Sequence, residues 1–230
     1  MDGAPDPDWY FANVLDHGEA DVAGRGRSGA WQLWWRKRWV EADGPCAVLA
    51  REQGFVLTTG QARALGVARH DIRRQVRRGL WTPVARGAVA TLAIPNSAKP
   101  QLDARRRHAL TAAAAALLRP GHVIAGASAT VLHGLPTLDL PDVPELVARR
   151  DTTTGRRSRA HVRHAELADA DVTTWFGAPA ATVARSIADL AGRDRRSGLI
   201  AADAALRERL ARPGELSAVL ERRTGRRGTR

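Results

Sequence analysis

The sequence predicts an α+β protein, with a winged helix-turn-helix near the N-terminus followed by a mixed α/β C-terminal domain. Three observations carry this. Short helical patterns closed by glycine recur between Pro45 and Gly79. Two β-like runs then flank Ala85-Arg86-Gly87. Beyond Pro100, helical and strand-like segments alternate as far as residue 222.

In chain order, PCAVLAREQG sets Val48, Leu49 and Ala50 before Gly54 and reads as the first helix. FVLTTGQARALG gives a brief strand-like entry, then Thr58/Thr59 as the cap of a second helix ending at Gly66. VARHDIRRQVRRG is a third helix, stopped at Gly79. LWTPVARGAVATL supplies a hairpin whose turn is the three residues Ala85-Arg86-Gly87, with glycine where a left-handed residue is wanted. Helix, helix, helix, hairpin is the order of a winged helix-turn-helix, assigned to residues 45–95, and IPNSAKP at 94–100 reads as a linker.

The α/β domain takes residues 100–222. Gln101 to Leu118 is a helix with Leu102, Leu110 and Leu117 on an apolar side. HVIAG is a strand, and SATVLHG a short helix capped by Ser128 and ended at His133-Gly134. ELVARR and HVRHAEL are strands separated by the polar loop DTTTGRRS. TVARSIADLAG is an amphipathic helix capped by Thr182, with Ile187 and Leu190 inward, and SGLIAADAALRERL and GELSAVLERR are helices joined at Arg212-Pro213. The basic tail, residues 223–230, is expected to be disordered and to add nonspecific attraction to phosphate.

Residues 1–44 stand apart. They hold five of the seven tryptophans but no sustained apolar period. WQLWWRKRW suits a membrane interface or base stacking in principle, and a short docked helix or an unfolded segment in the plainer reading. The expectation is that they lie outside the functional fold, disordered or preceding the true start of translation.

The net charge is +12, nearly all of it arginine, since Lys37 and Lys99 are the only lysines. A GC-rich genome accounts for part of such an excess but not for its clustering. Phosphate is the class of partner this charge favours. The single cysteine, Cys46, excludes an internal disulfide and any cysteine-rich metal site. The acidic opening MDGAPDPD has the wrong sign for a secretory signal, and the apolar run ALTAAAAALL is too short to cross a bilayer. A cytoplasmic protein with no membrane partner is expected.

The charge concentrates in RHDIRRQVRRGLW, Arg69 to Trp81. On a helical wheel Ile72 and Val76 fall together as the buried stripe, continued by Leu80. Opposite lie His70, Arg74 and Arg77, with Arg73 and Arg78 on the flanks. Asp71 is the only acid among seven arginines between Arg63 and Arg86. A solvated face mixes signs so that neighbouring turns attract; this one repels itself by a few tenths of a kcal/mol per like-charged pair. Two β-branched residues and a leucine are too little for a membrane-surface helix. A recognition helix in the major groove fits better: His70, Arg73 and Arg74 nearest base edges, Arg77 and Arg78 on phosphates, Arg86 on the backbone or minor groove, and Trp81 packed inward.

The order of these motifs is familiar. LAREQGFVLTTGQARALGVARHDIRRQVRRGLWTPVARGAVA resembles the N-terminal winged-helix domain of AbiEi-family antitoxins of type IV toxin–antitoxin systems, in their actinobacterial form. SATVLHGLP, GAPAATVARSIADLA and DAALRERLARPGEL resemble landmarks of the C-terminal part of the same proteins, and the likeness spans about Pro45 to Arg222. It implies a DNA-binding antitoxin that represses its own operon at promoter inverted repeats in double-stranded DNA. It also implies a nucleotidyltransferase-like toxin counteracted without a stable complex, and neither catalysis nor a cofactor. Two departures stand out. Ala68 occupies the position where relatives offer a serine cap, and the endonuclease-like domain of long relatives is not expected here.

Other constellations carry less. His161 and His164, three apart on a strand, point to opposite faces and make poor joint metal ligands, so no metal or catalytic residue is assigned. PDVPELVARR resembles a nuclease motif, but Val147 stands where lysine is needed. Arg185 and Asp189 are spaced as a structural pair. Two rivals remain: a DNA-targeted nuclease-related enzyme, tested by metal-dependent cleavage, and a ligand-sensing transcription factor, tested by gene neighbourhood.

Overall fold

The computed structural model describes residues 45–91, 100–148, 155–156 and 160–223. The extension 1–44, the linker as far as residue 99, and most of the polar loop and basic tail fall outside them, while Pro100, read as linker, opens the next helix.

The first module runs α1 (Pro45–Glu52), β1 (Val56–Thr58), α2 (Thr59–Ala64), α3 (Arg69–Arg77), β2 (Thr82–Ala85) and β3 (Ala88–Ala90). This is the winged helix-turn-helix of the sequence reading. The brief entry before α2 is a true strand: β1 pairs antiparallel with β3, giving the sheet order β1-β3-β2. Thr58, not Thr59, caps α2. Its Oγ1 accepts from the Gln61 N–H at 3.1 Å, while Gln61 Oε1 accepts from the Thr58 N–H at 2.9 Å. This reciprocal box satisfies two donors that the first helical turn leaves open. Gly54, Gly66 and Gly79 all take positive φ just past the ends of their helices, as expected. The hairpin turn is shorter than predicted. Ala85 pairs with Ala88, so only Arg86 and Gly87 turn, and an irregularity between Pro83 and Ala85 absorbs the extra residue.

The second region is α4 (Pro100–Leu117), β4 (His122–Ile124), α5 (Gly126–Leu132), β5 (Glu145–Ala148), β6 (Gly155–Arg156) and β7 (His161–His164). A 3₁₀ turn (Asp169–Asp171) leads to β8 (Val172–Trp175), β9 (Ala178–Ala181), α6 (Val183–Ala191), α7 (Arg195–Arg207) and α8 (Pro213–Arg222). The six strands form one mixed sheet, β6-β7-β5-β4-β9-β8. Pairs β5–β7 and β4–β9 are parallel, and the other neighbours antiparallel. Thr182 caps α6 as predicted, with Ile187 and Leu190 buried.

The alanine run explains how the two regions meet. Ala109 and Ala112 to Ala116 are buried, in one core with Val56, Ala88 and Ala90 of the winged sheet and Ile124, Leu146 and Ala180 of the larger one. A helix packed on both sides needs small side chains around most of its circumference, and alanine also favours the helix itself. Leu110 is buried and Leu117 partly so, while the Leu102 side chain lies outside the described residues. A second joint lies at Gly54, where any Cβ would strike the Trp175 ring.

Ser128 corrects the sequence reading. It is no cap: α5 begins at Gly126, and its N-cap, Ala125, makes no side-chain bond. Ser128 instead sits fully buried within the helix, its Oγ 2.8 Å from His108 Nε2 and accepting from the Glu145 N–H at 2.8 Å. His133 and Gly134 end α5 as expected, Gly134 with positive φ.

Candidate nucleic-acid interface

Helix α3 follows α2 across a turn at Leu65–Ala68. The Val67 N–H returns to the Ala62 carbonyl at 3.0 Å, satisfying an end carbonyl of α2. Ala68 is the N-cap of α3 and makes no side-chain bond, so the first-turn N–H groups lack the acceptor that serine would give. Ile72 is buried and Val76 partly so, in a small core with Cys46, Ala50, Leu57, Ala62 and Val89. That stripe fixes the rotation of α3 about its axis. Burying an isoleucine at this depth contributes about 1.5–3 kcal/mol.

Leu80 does not continue the stripe. It is exposed, because the left-handed turn at Gly79 ends the helical spacing that would have carried Leu80 inward. Trp81 takes that place, partly buried and packed, like Leu49, Val67 and Val76, against the same small core.

With Ile72 inward, all five sequence-assigned residues of this segment come out together: His70, Arg73, Arg74, Arg77 and Arg78 are each exposed. Arg69 joins them and was missed, although as the first helical residue beside His70 it carries the same signal. Among the described residues, Arg69, Arg73, Arg77 and Arg78 have no ion pair or hydrogen-bonding acid. Asp71 is committed locally. Its Oδ1 lies 2.6 Å from Arg74 Nη2, and its Oδ2 3.5 Å from His70 Nε2. Arg74 is therefore partly neutralised and held near the first turn, whereas its neighbours are unopposed cations. Asp71 also sits where a carboxylate complements the positive end of the helix.

Arg86 is exposed in the hairpin turn and, among the described residues, has no ion pair. It reaches its place by a different route. The Gly87 carbonyl accepts from the Thr59 N–H at 2.7 Å, so the turn is fastened to the first residue of α2. The side chains of Leu118 and Thr59 flank Gly87. The wing is thus a short loop tied to the body.

The second region uses arginine in the opposite way. Arg185 is buried, donating from Nε to Asp189 at 3.2 Å, and from Nη1 to Asp171 at 2.8 Å and to the Glu166 carbonyl at 3.1 Å. Arg222 meets the other oxygen of Asp171 at 2.7 Å; Arg223 and Arg163 reach Asp189. Burial alone would raise the Asp171 carboxyl pKa, but the hydrogen bonds from Arg222 and Arg185 outweigh it and hold that pKa below the usual range. Glu145, in the discounted nuclease-like stretch, is also buried and structural: it accepts from the Ala127 N–H at 3.0 Å and pairs with Arg193. His161 and His164 are both exposed on β7. Among the described residues, no three His, Cys, Asp or Glu side chains are grouped to hold a metal, and no helix is long and apolar enough to cross a membrane.

Residues 49–91 match the family described as "Transcriptional regulator, AbiEi antitoxin". The matched segment starts within α1 and ends one residue past β3, so it contains the whole helix-turn-helix and its wing. No curated protein matches the chain.

Proposed function

We propose that this protein is the DNA-binding antitoxin of a type IV toxin–antitoxin system and represses its own operon. It does so without catalysis or a cofactor, in the cytoplasm. The observation that carries the reading is α3: an array of exposed, unopposed arginines opposite Ile72, within the segment that matches a regulator family. Such an array is costly in the free protein and neutralised on a polyanion.

The chemistry divides the residues. Arg73 and Arg74, in the middle of α3, are suited to bidentate pairing with guanine, with His70 beside them nearer the N-terminus. Arg77 and Arg78, at its C-terminal end, are suited to phosphates, and Arg86 to the backbone or minor groove from the wing. The target is double-stranded promoter DNA carrying inverted repeats. The toxin is nucleotidyltransferase-like and is opposed without a stable complex. Footprinting of the upstream promoter tests this: a protected inverted repeat is expected, and its absence at saturating protein would refute autorepression. Co-purification with the adjacent gene product should recover no stable complex.

A further inference from the structure

Helix α7 is built inside out. The face it turns to α6 carries Ser197, Gly198, Ala201, Ala204 and Ala205, all buried. The packing demands small residues there: a Cβ on Gly198 would lie 2.4 Å from that of Ala191. Its large apolar residues point the other way, with Leu199 71% exposed, Ile200 40% and Leu206 38%. Leu138, 53% exposed, stands beside the first turn, its N–H bound to Ser197 Oγ at 3.2 Å. Exposed leucines are ordinary singly, but Leu199 and Ile200 lie side by side on the outer face, with Leu206 two turns beyond Leu199, and such a grouping on one helix marks a contact surface.

We infer that this face of α7 is the self-association surface of the protein, meeting a second copy of the same helix antiparallel about a two-fold axis between Leu199 and Ile200. Charge complementarity selects this occupant. Arg196 and Asp203 are both exposed, one turn to either side of that point. A two-fold contact is self-complementary, so residue i meets j and j meets i. Antiparallel packing therefore brings Arg196 of one copy to the partner's Asp203, and the reverse, around a centre of Leu199 and Ile200. Asp203 is 3.6 Å from Arg207 in its own chain, an exposed pair that contributes little and leaves the carboxylate accessible. The first turn of one helix then lies by the last turn of the other, placing Leu138 toward the partner's Leu206. This surface is independent of α3 and stands whether or not the protein binds DNA.

Sedimentation velocity on the full chain without DNA tests it, over a concentration range up to about 100 μM. A monomer–dimer equilibrium is expected. Leu199→Glu should weaken it by on the order of tenfold or more, with an unchanged thermal melt at concentrations where the parent is monomeric, because the side chain contacts solvent in the free chain. Arg196→Glu and Asp203→Arg should each weaken dimerisation, and the double reversal should restore it. A chain monomeric throughout the range, a dimer indifferent to Leu199→Glu, or a double reversal no better than the singles would each overturn the proposal.

Discussion

Helix α3 and the cluster around α6 are both arginine-rich, and they use the residue for opposite ends. On α3, Arg69, Arg73, Arg77 and Arg78 are exposed around a single acid, Asp71. Around α6, Arg185 is buried between two carboxylates, and Arg163, Arg222 and Arg223 close the network from β7 and the end of α8. One arrangement leaves charge unspent for a partner; the other consumes it to hold the fold. Net charge cannot tell these apart. The position of the acids can.

Removing arginines from each region should therefore give opposite phenotypes. The largest effect is expected from Arg185→Ala, which leaves Asp171 and Asp189 short of a buried partner: about 3–5 kcal/mol lost in chemical denaturation. Under conditions where that variant stays folded, its promoter affinity should match the parent. A loss of DNA binding without a loss of stability would invert the comparison.

A second probe is acidification. The buried His108, held to a pKa of about 4 first by desolvation and then by the nearby Arg105 charge, stays neutral in the folded state, whereas an unfolded histidine protonates near 6.5. Between those values the unfolded state binds more protons, so stability falls as pH falls, by about 3 kcal/mol in all. Denaturation from pH 7 to 4 measures it, and His108→Gln should flatten the slope. Burial also lowers the pKa of His133, so part of the slope should persist; a slope wholly unchanged in that variant would assign the sensitivity to another group.

On α3 the expectations reverse. Arg73→Ala should leave the melt unchanged and weaken operator binding by about 1–3 kcal/mol if the side chain reads a base. Ala68→Ser, which restores a cap acceptor, should stabilise the protein by about 1 kcal/mol in denaturation. The smallest effect belongs to Arg77→Ala, which should weaken binding evenly across sequences and lower the salt slope by about one. A sequence-selective loss there would move Arg77 to a base edge.

Local chemistry made most of the first module legible. A threonine cap at Thr58/Thr59, the glycines past each helix, and Ile72 with Val76 are signals between residues no more than four positions apart; the cap falls on Thr58 and the others appear where the sequence places them. Leu80 was misplaced because helical spacing was carried across Gly79, which breaks it. The second region depends on distant partners. Ser128 looks like a cap in sequence, yet its neighbours, His108 and the Glu145 N–H, are 20 and 17 residues away. Arg185–Asp189 was readable at i,i+4, but Arg222–Asp171 joins residues 51 apart, and no periodicity announces it. The Asp71–Arg74 pair was within reach, since i,i+3 neighbours meet on a helix.

The central claim is that the α3 arginines engage DNA through phosphate and base. The most direct test is the affinity of the protein for its upstream promoter as salt rises, with the parent and Arg74→Ala side by side. With about six phosphates neutralised, the parent should lose on the order of 10³-fold affinity between about 50 and 200 mM salt, and the variant should bind about 1–3 kcal/mol more weakly throughout. Binding that is insensitive to salt, or that survives the loss of Arg74 intact, would contradict the account.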